Sequence, residues 1–305
     1  MARCGCARLS GERVTAAAKP ADFWLGGRRL SEAASLALLA PFFLLLLVVF
    51  ILPLLTLLHE SLFVPSFTGA HYERVFTEPV YARVMWRTLR IAVFVTAAAL
   101  LLGYPLAYVM SRSKGLALAL MVAAVLLPLW TSVLVRTYAW MVLLQRNGLV
   151  NQALTGLGIV DAPIRLLYTE GAVVLAMSHV LLPFMVLPIY SALKGIPDDY
   201  PRAALMLGAS NWSAFREVIW PLSLPGVASG CLMVFLLALG FFVTPALIGG
   251  PQQMMIATLV SQQVRELLNW PFAGALVGVL LFFVLALTLA FNRSIRIERF
   301  VGTRA

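Results

Sequence analysis

Six stretches of this chain are apolar for about the length a helix needs to cross a bilayer, and no other feature restricts its fold as strongly. They fall at about 34–58, 88–110, 116–138, 172–193, 223–248 and 273–292. In lipid, a single spanning segment can satisfy its own backbone groups only as a helix. The composition agrees, with 61% hydrophobic and 12% charged residues and a mean hydropathy of +0.92, where a soluble domain carries about 25% charged residues. The expectation is an all-α membrane protein with six transmembrane helices over residues 34–292. Prolines at 41, 53, 105, 128, 183, 188 and 245 lie inside these stretches, which membrane helices tolerate when neighbours re-satisfy the freed backbone groups. Pro183 and Pro188 predict a kink in the fourth.

The net charge of +10 would suit nucleic-acid binding if the basic residues lined a polar face, but they sit in short clusters beside the apolar stretches. Taking the N-terminus as cytoplasmic, fifteen lie inside, and six lie outside: Arg74, Arg83, Arg87, Arg146, Arg165 and Arg265. The positive-inside rule therefore predicts both termini in the cytoplasm. Residues 1–33 read as a disordered basic tail and 293–305 as a basic anchor. Cys4 and Cys6, with only Cys231 elsewhere and no nearby histidine, lack a zinc ligand set, so no metal site is expected. Arg28 and Arg29 precede the first apolar run as in an export signal, but that run is too long and has no small-residue cleavage site, which makes it an uncleaved span.

Residues 194–222 are more than a connection. Ala204 and Leu207, then Trp212, Phe215 and Ile219, recur at helical spacing on either side of Gly208. Asp198 and Asp199 precede the first helix, and Ser210 and Asn211 the second, as capping residues would. Two short helices with a turn at Gly208 are predicted, each with one apolar face.

This run resembles the loop of ABC-importer permeases that reads Glu-Ala-Ala, three residues, Gly, nine residues, Ile-x-Leu-Pro. Ala203, Ala204, Gly208 and Pro221 match at the right spacing; Arg202 stands in place of Glu, Val218 of Ile and Trp220 of Leu. The resemblance implies docking into a groove of a separate ATPase subunit through Ala203, Ala204, Gly208, Ala209, Trp212, Phe215 and Pro221. Further runs are similar to permeases of the spermidine/putrescine importer group: LLGYPLAYVMSR, PLWTSVLVRTYAWMVLLQRNGLVN, VDAPIRLLYTEGA and LLPFMVLPIYSALKGIP, within Trp86 to Asn292. This second resemblance implies a type-1 ABC permease fold in a bacterial inner membrane. It would work with an ATPase dimer holding ATP and Mg, a second permease and an extracytoplasmic binding protein. The cargo would be a polyamine such as putrescine or spermidine, with an opine, amino-acid derivative, thiamine or iron compound as the alternative.

Several residues carry two readings. Trp130 and Tyr138 suit either an aromatic belt at the membrane interface or the solute pathway. Arg136 is expected to snorkel to the outer surface, and His179 reads as a hydrogen-bonded packing residue before a proton relay. Thr244 and Pro245, in FFVTPALIGGPQQ, interrupt a regular helix and mark an outer gate or a plain exit turn. Glu170 and Glu266, in outer loops, would attract a cation.

The chain has no G-x-x-x-x-G-K-[ST] run, so no nucleotide cofactor is expected on it. The six stretches hold no Asp or Glu, which argues against a proton- or sodium-coupled carrier. No nucleophile and base, acid pair or metal cluster converges in them, which argues against an intramembrane enzyme.

Overall fold

A computed structural model describes residues 32–64 and 66–294, and every regular element among them is helical. The tail with Cys4 and Cys6, and the final arginines Arg296, Arg299 and Arg304, lie outside the described residues. The chain divides into two units, one ending at Leu54 and one beginning at Leu55. The first contains α1 (Glu32–Leu46) and a π-helical stretch (Leu47–Ile51), and at its end α2 (Leu52–Phe63) begins. Phe42, Leu45 and Phe50 are exposed along this run, as a helix that is apolar all round and faces lipid requires.

The second unit is built around α8 (Glu170–Lys194). Thr169 caps it, its Oγ1 accepting from Ala172 N at 3.3 Å, and Glu170 in the first turn complements the helix dipole. α4 (Pro79–Arg112) and α11 (Trp220–Leu239) pack on α8 and on each other, burying Val173, Met177, Leu181, Met185 and Ile189. Gly226 and Gly230 permit the close approach of α11 to α8. A methyl group on Gly226 would sit 2.4 Å from Ala192 Cβ and 2.7 Å from Pro188 O, and one on Gly230 would sit 3.1 Å from Met185 O. Small residues four apart let membrane helices pack backbone to backbone. α8 stays one helix across Pro183 and Pro188.

A second cluster caps the far end of α4. There α3 (Ala70–Thr77), α12 (Ile256–Arg265) and α13 (Trp270–Ser294) bury Val75, Val84, Ile256, Leu259 and Phe272. Thr88 Oγ1 accepts from Ile256 N at 2.9 Å, and the Arg74 guanidinium lies 5.0 Å from the centre of the Phe272 ring.

The helices do not end where the apolar stretches end. α4 starts at Pro79, a residue that opens a helix without losing a bond, and so carries Arg83 and Arg87 beyond its apolar part. The stretch at 116–138 is two helices rather than one. α5 (Gly115–Trp130) ends after Pro128, Thr131 and Ser132 are extended, and the chain resumes as α6 (Val133–Leu144) and α7 (Leu149–Gly156) at 102°. Thr131 Oγ1 donates to Pro128 O at 2.8 Å, which competes with continuation of the helix. The stretch at 223–248 belongs to a helix that already begins at Asn211, in α10 (Asn211–Ala214), and stops at Leu239. A π-helical turn (Phe215–Ile219) precedes Pro221, just as Leu47–Ile51 precedes Pro53. Proline clashes with the carbonyl four residues back, and a widened turn moves that carbonyl aside, so both helices run through.

Among the described residues five helices are long and apolar enough to cross a bilayer: Leu38–Phe63, Pro79–Arg112, Glu170–Lys194, Asn211–Leu239 and Trp270–Phe291. The bent pair would be a sixth if it acts as one span.

Candidate coupling loop and solute pathway

After α8 the chain turns through Pro197 into α9 (Asp199–Met206). Gly208 N donates to Leu205 O and Ala209 N to Ala204 O, each at 3.0 Å, closing the helix end. Gly208 has φ +89, and nothing lies within 4 Å of where its Cβ would be. The glycine is therefore required by backbone conformation and not by lack of space. Ser210 Oγ then accepts from Ser213 N at 3.1 Å and caps the next helix. The second half of the loop is thus the first turns of the membrane helix that continues into α11.

Exposed apolar side chains crowd the turn. Met206 and Leu207 are each 88% exposed and Trp212 is 70% exposed. Ala203 is exposed, while Ala204, Ala209, Phe215 and Pro221 are half-buried. Arg202 is exposed, with no carboxylate at ion-pair distance among the described residues. The seven residues named from the sequence therefore lie on one continuous piece, from α9 to the start of α11.

From the exposed Trp212 a chain of rings leads inward. Trp212 stacks on Phe215 at 5.6 Å and 22°, and Phe215 meets Tyr108 edge-on at 5.4 Å and Tyr104 at 6.2 Å. Tyr104 in turn meets Trp220 edge-on at 5.0 Å, and its hydroxyl is 3.0 Å from Ser223 Oγ. Arg112 closes the end, with its guanidinium 5.4 Å from the centre of the Tyr108 ring. Trp212 is thus joined to α4 through packed rings, and each such pair contributes about 0.5–1.5 kcal/mol beyond its buried area. Sequence reasoning missed the partners Tyr104, Tyr108 and Ser223. It also passed over the Gly226-x-x-x-Gly230 spacing, a signal that was present in the chain.

The pathway candidates are not gathered in one place. Thr244 and Pro245 are buried where a π-helical turn (Pro245–Gly249) begins, and Thr244 Oγ1 is 3.1 Å from Thr137 Oγ1 on α6. Trp130 and Tyr138 are instead 83% and 54% exposed. Arg136 does not reach solvent with its whole head group: Nε and Nη1 are enclosed and unpartnered among the described residues. His179 is a packed, hydrogen-bonded residue, with Trp140 Nε1 donating to its Nδ1 at 3.3 Å. Glu170 is not free to attract a cation, because it pairs with Arg90 of α4. Glu266 accepts from Gln262 Nε2 at 3.1 Å.

Residues 23–297 match the family model described as the binding-protein-dependent transport system inner membrane component. The chain belongs to this family. It is a multi-pass inner-membrane permease of an ABC importer, a transport component and not a catalyst, and such a permease works with an ATPase and a substrate-binding protein. The chain is 37% identical over 238 residues to the spermidine/putrescine transport system permease protein PotB of Haemophilus influenzae, covering 76% of this chain and 83% of that one. To PotB of Escherichia coli (strain K12) it is 36% identical over 223 residues, covering 73% and 80%. A chain of a bacterial alginate ABC transporter, solved with an alginate pentasaccharide-bound periplasmic protein, has the same fold. It superposes with a TM-score of 0.67 over 86% of this permease and 93% of that chain at 19% identity.

Proposed function

We infer that this permease carries a polyamine such as putrescine or spermidine inward across the bacterial inner membrane, released to it by an extracytoplasmic binding protein. The observation that carries the cargo is the identity to PotB across three quarters of the chain. The bent pair α5–α7 serves as the sixth span, both termini face the cytoplasm, and the fifteen-to-six split of basic residues supports that orientation. A second permease completes the membrane part. ATP and Mg are held by an ATPase dimer, and this chain carries no cofactor of its own.

The loop at residues 194–222 is the contact with the ATPase, through Ala203, Ala204, Gly208, Ala209, Trp212, Phe215 and Pro221. Its exposed apolar turn and the ring chain to α4 support that reading. Closure of the ATPase would move this turn and, through Phe215 and Tyr108, rock α4. Trp130 and Tyr138 would offer aromatic faces to a cation, while Thr244 and Pro245 form the buried turn beside α6. A cation–π contact is worth about 0.5–2 kcal/mol, weak enough to let a solute leave.

The test is uptake of radiolabelled putrescine and spermidine by the complete importer in proteoliposomes. ATP-dependent accumulation that needs the binding protein is expected. Import of a sugar or an anion with neither polyamine taken up would sink the cargo and leave the permease standing. That second reading has an observation in its favour, since the alginate transporter shares the fold with an unrelated cargo.

A further inference from the structure

At the end of α4 opposite residues 194–222 lies a cleft of 620 Å³ lined by none of the pathway candidates Trp130, Tyr138, Thr244 and Pro245. Arg83 and Arg87, one turn apart on α4, form one wall, and Gln252, Gln253, Gln262 and Gln263 supply the other polar groups among apolar neighbours such as Val84, Met254 and Leu259. Arg83 and Tyr108 lie roughly 40 Å apart along the helix, by its rise per residue. Neither arginine has a carboxylate within ion-pair distance among the described residues, and Arg83 spends only its Nε, on Pro79 O at 3.1 Å. Gln263 also lines the cleft and makes no side-chain hydrogen bond to another described residue, and its amide atoms are not enclosed by the protein. The walls are firm, because the capping cluster of Val84, Ile256 and Leu259 and the bond from Ile256 N to Thr88 fix α4 against α12.

Two guanidinium groups and the carboxamides of Gln252, Gln253 and Gln263 offer donors suited to a carboxylate, while the Gln262 amide is already spent on Glu266. The two guanidinium groups would repel a di- or tri-cation, which sets the cleft apart from a polyamine pathway. We propose that this cleft is where the extracytoplasmic binding protein docks, by inserting an acidic surface segment whose carboxylates pair with Arg83 and Arg87 and reach Gln263. The proposal rests on the importer reading, which puts this end of α4 outside. The family is binding-protein-dependent, and the chain that shares its fold was solved with a periplasmic protein bound.

The experiment titrates the purified binding protein of the same importer against the complete complex in nanodiscs and reads the stimulated ATPase rate. Arg87→Glu and the isosteric Gln263→Glu should each raise the half-saturating concentration of binding protein at least about fivefold. The rate at saturation should stay at the wild-type level, and Arg87→Lys should lie in between. Added salt should weaken wild-type docking more than docking by the Arg87→Glu complex. Assembly is checked by co-purification of the ATPase subunits. Unchanged half-saturation in both glutamate variants would overturn the docking site, as would a fall in the saturated rate alone, which would point to the solute path or to packing. A wild-type complex that no binding protein stimulates would instead remove the importer reading itself, and the docking with it.

Discussion

Gly208 is held at φ +89 with open space around its Cα, so the penalty for any side chain there is conformational. A left-handed backbone costs an ordinary residue about 1–2 kcal/mol, and asparagine tolerates it better than alanine or valine. Uptake should therefore fall in the order Gly, Asn, Ala, Val, with membrane abundance near normal throughout. Gly208→Asp should be among the milder replacements for strain, though it adds a charge at the apolar turn. If uptake tracked side-chain size instead, with Asn worse than Ala, the turn would be limited by space and the account of Gly208 would be wrong. Trp130 poses a different question, because at 83% exposure it contributes little to the fold of this chain. Trp130→Ala should slow putrescine uptake severalfold, the scale of one cation–π contact. The binding protein's own affinity for putrescine should not move. An unchanged uptake rate would leave Trp130 as an interface anchor.

The packing of α8 against α11 depends on two missing side chains. Gly226→Ala places a methyl group 2.4 Å from Ala192 Cβ and 2.7 Å from a backbone carbonyl, which the helices can relieve only by separating. Overpacking of this kind costs about 1–3 kcal/mol, visible as a lower melting temperature of the detergent-solubilised complex. Adding Ala192→Gly should recover part of the loss, because it removes one of the two close contacts and leaves Pro188 O. A double variant no more stable than Gly226→Ala alone would place the strain elsewhere. The amino-acid pattern located the apolar stretches but not the helix ends, since apolar length reports the lipid slab and not where hydrogen bonding stops. α4 overshoots its apolar stretch on the Pro79 side, and the 102° bend at Thr131 and Ser132 is hidden because both flanks are equally apolar. The two short helices of residues 194–222 were readable because a turn at Gly208 and a cap at Ser210 leave local signatures. The pathway was not, because an aromatic facing lipid and one lining a passage have the same composition and differ only in what surrounds them.

For the molecule as a whole, orientation decides what each end can meet. α4 links the two ends: Tyr108 and Arg112 lie by the aromatic chain of the loop, and Arg83 and Arg87 by the polar cleft. If the loop is cytoplasmic, the cleft is outside, and a single helix spans from ATPase contact to docking face. If the bent pair α5–α7 did not cross, residues 157–169 would share a side with residues 113–114, and α8 would have to run from the cytoplasm outward. The loop would then face away from any ATPase. Truncated fusions to a fluorescent protein that folds only in the cytoplasm separate these cases. A fusion after Asp161, in the exposed segment between α7 and α8, should stay dark, while fusions after Asp198 and after Thr303 should be bright. Asp161 is the informative site, because the first two spans alone do not test the bend. A bright signal there would mean that α5 and α6 enter and leave on one side. The positive-inside count would then have been read over the wrong number of crossings, and the contact between the loop and the ATPase would fall with it.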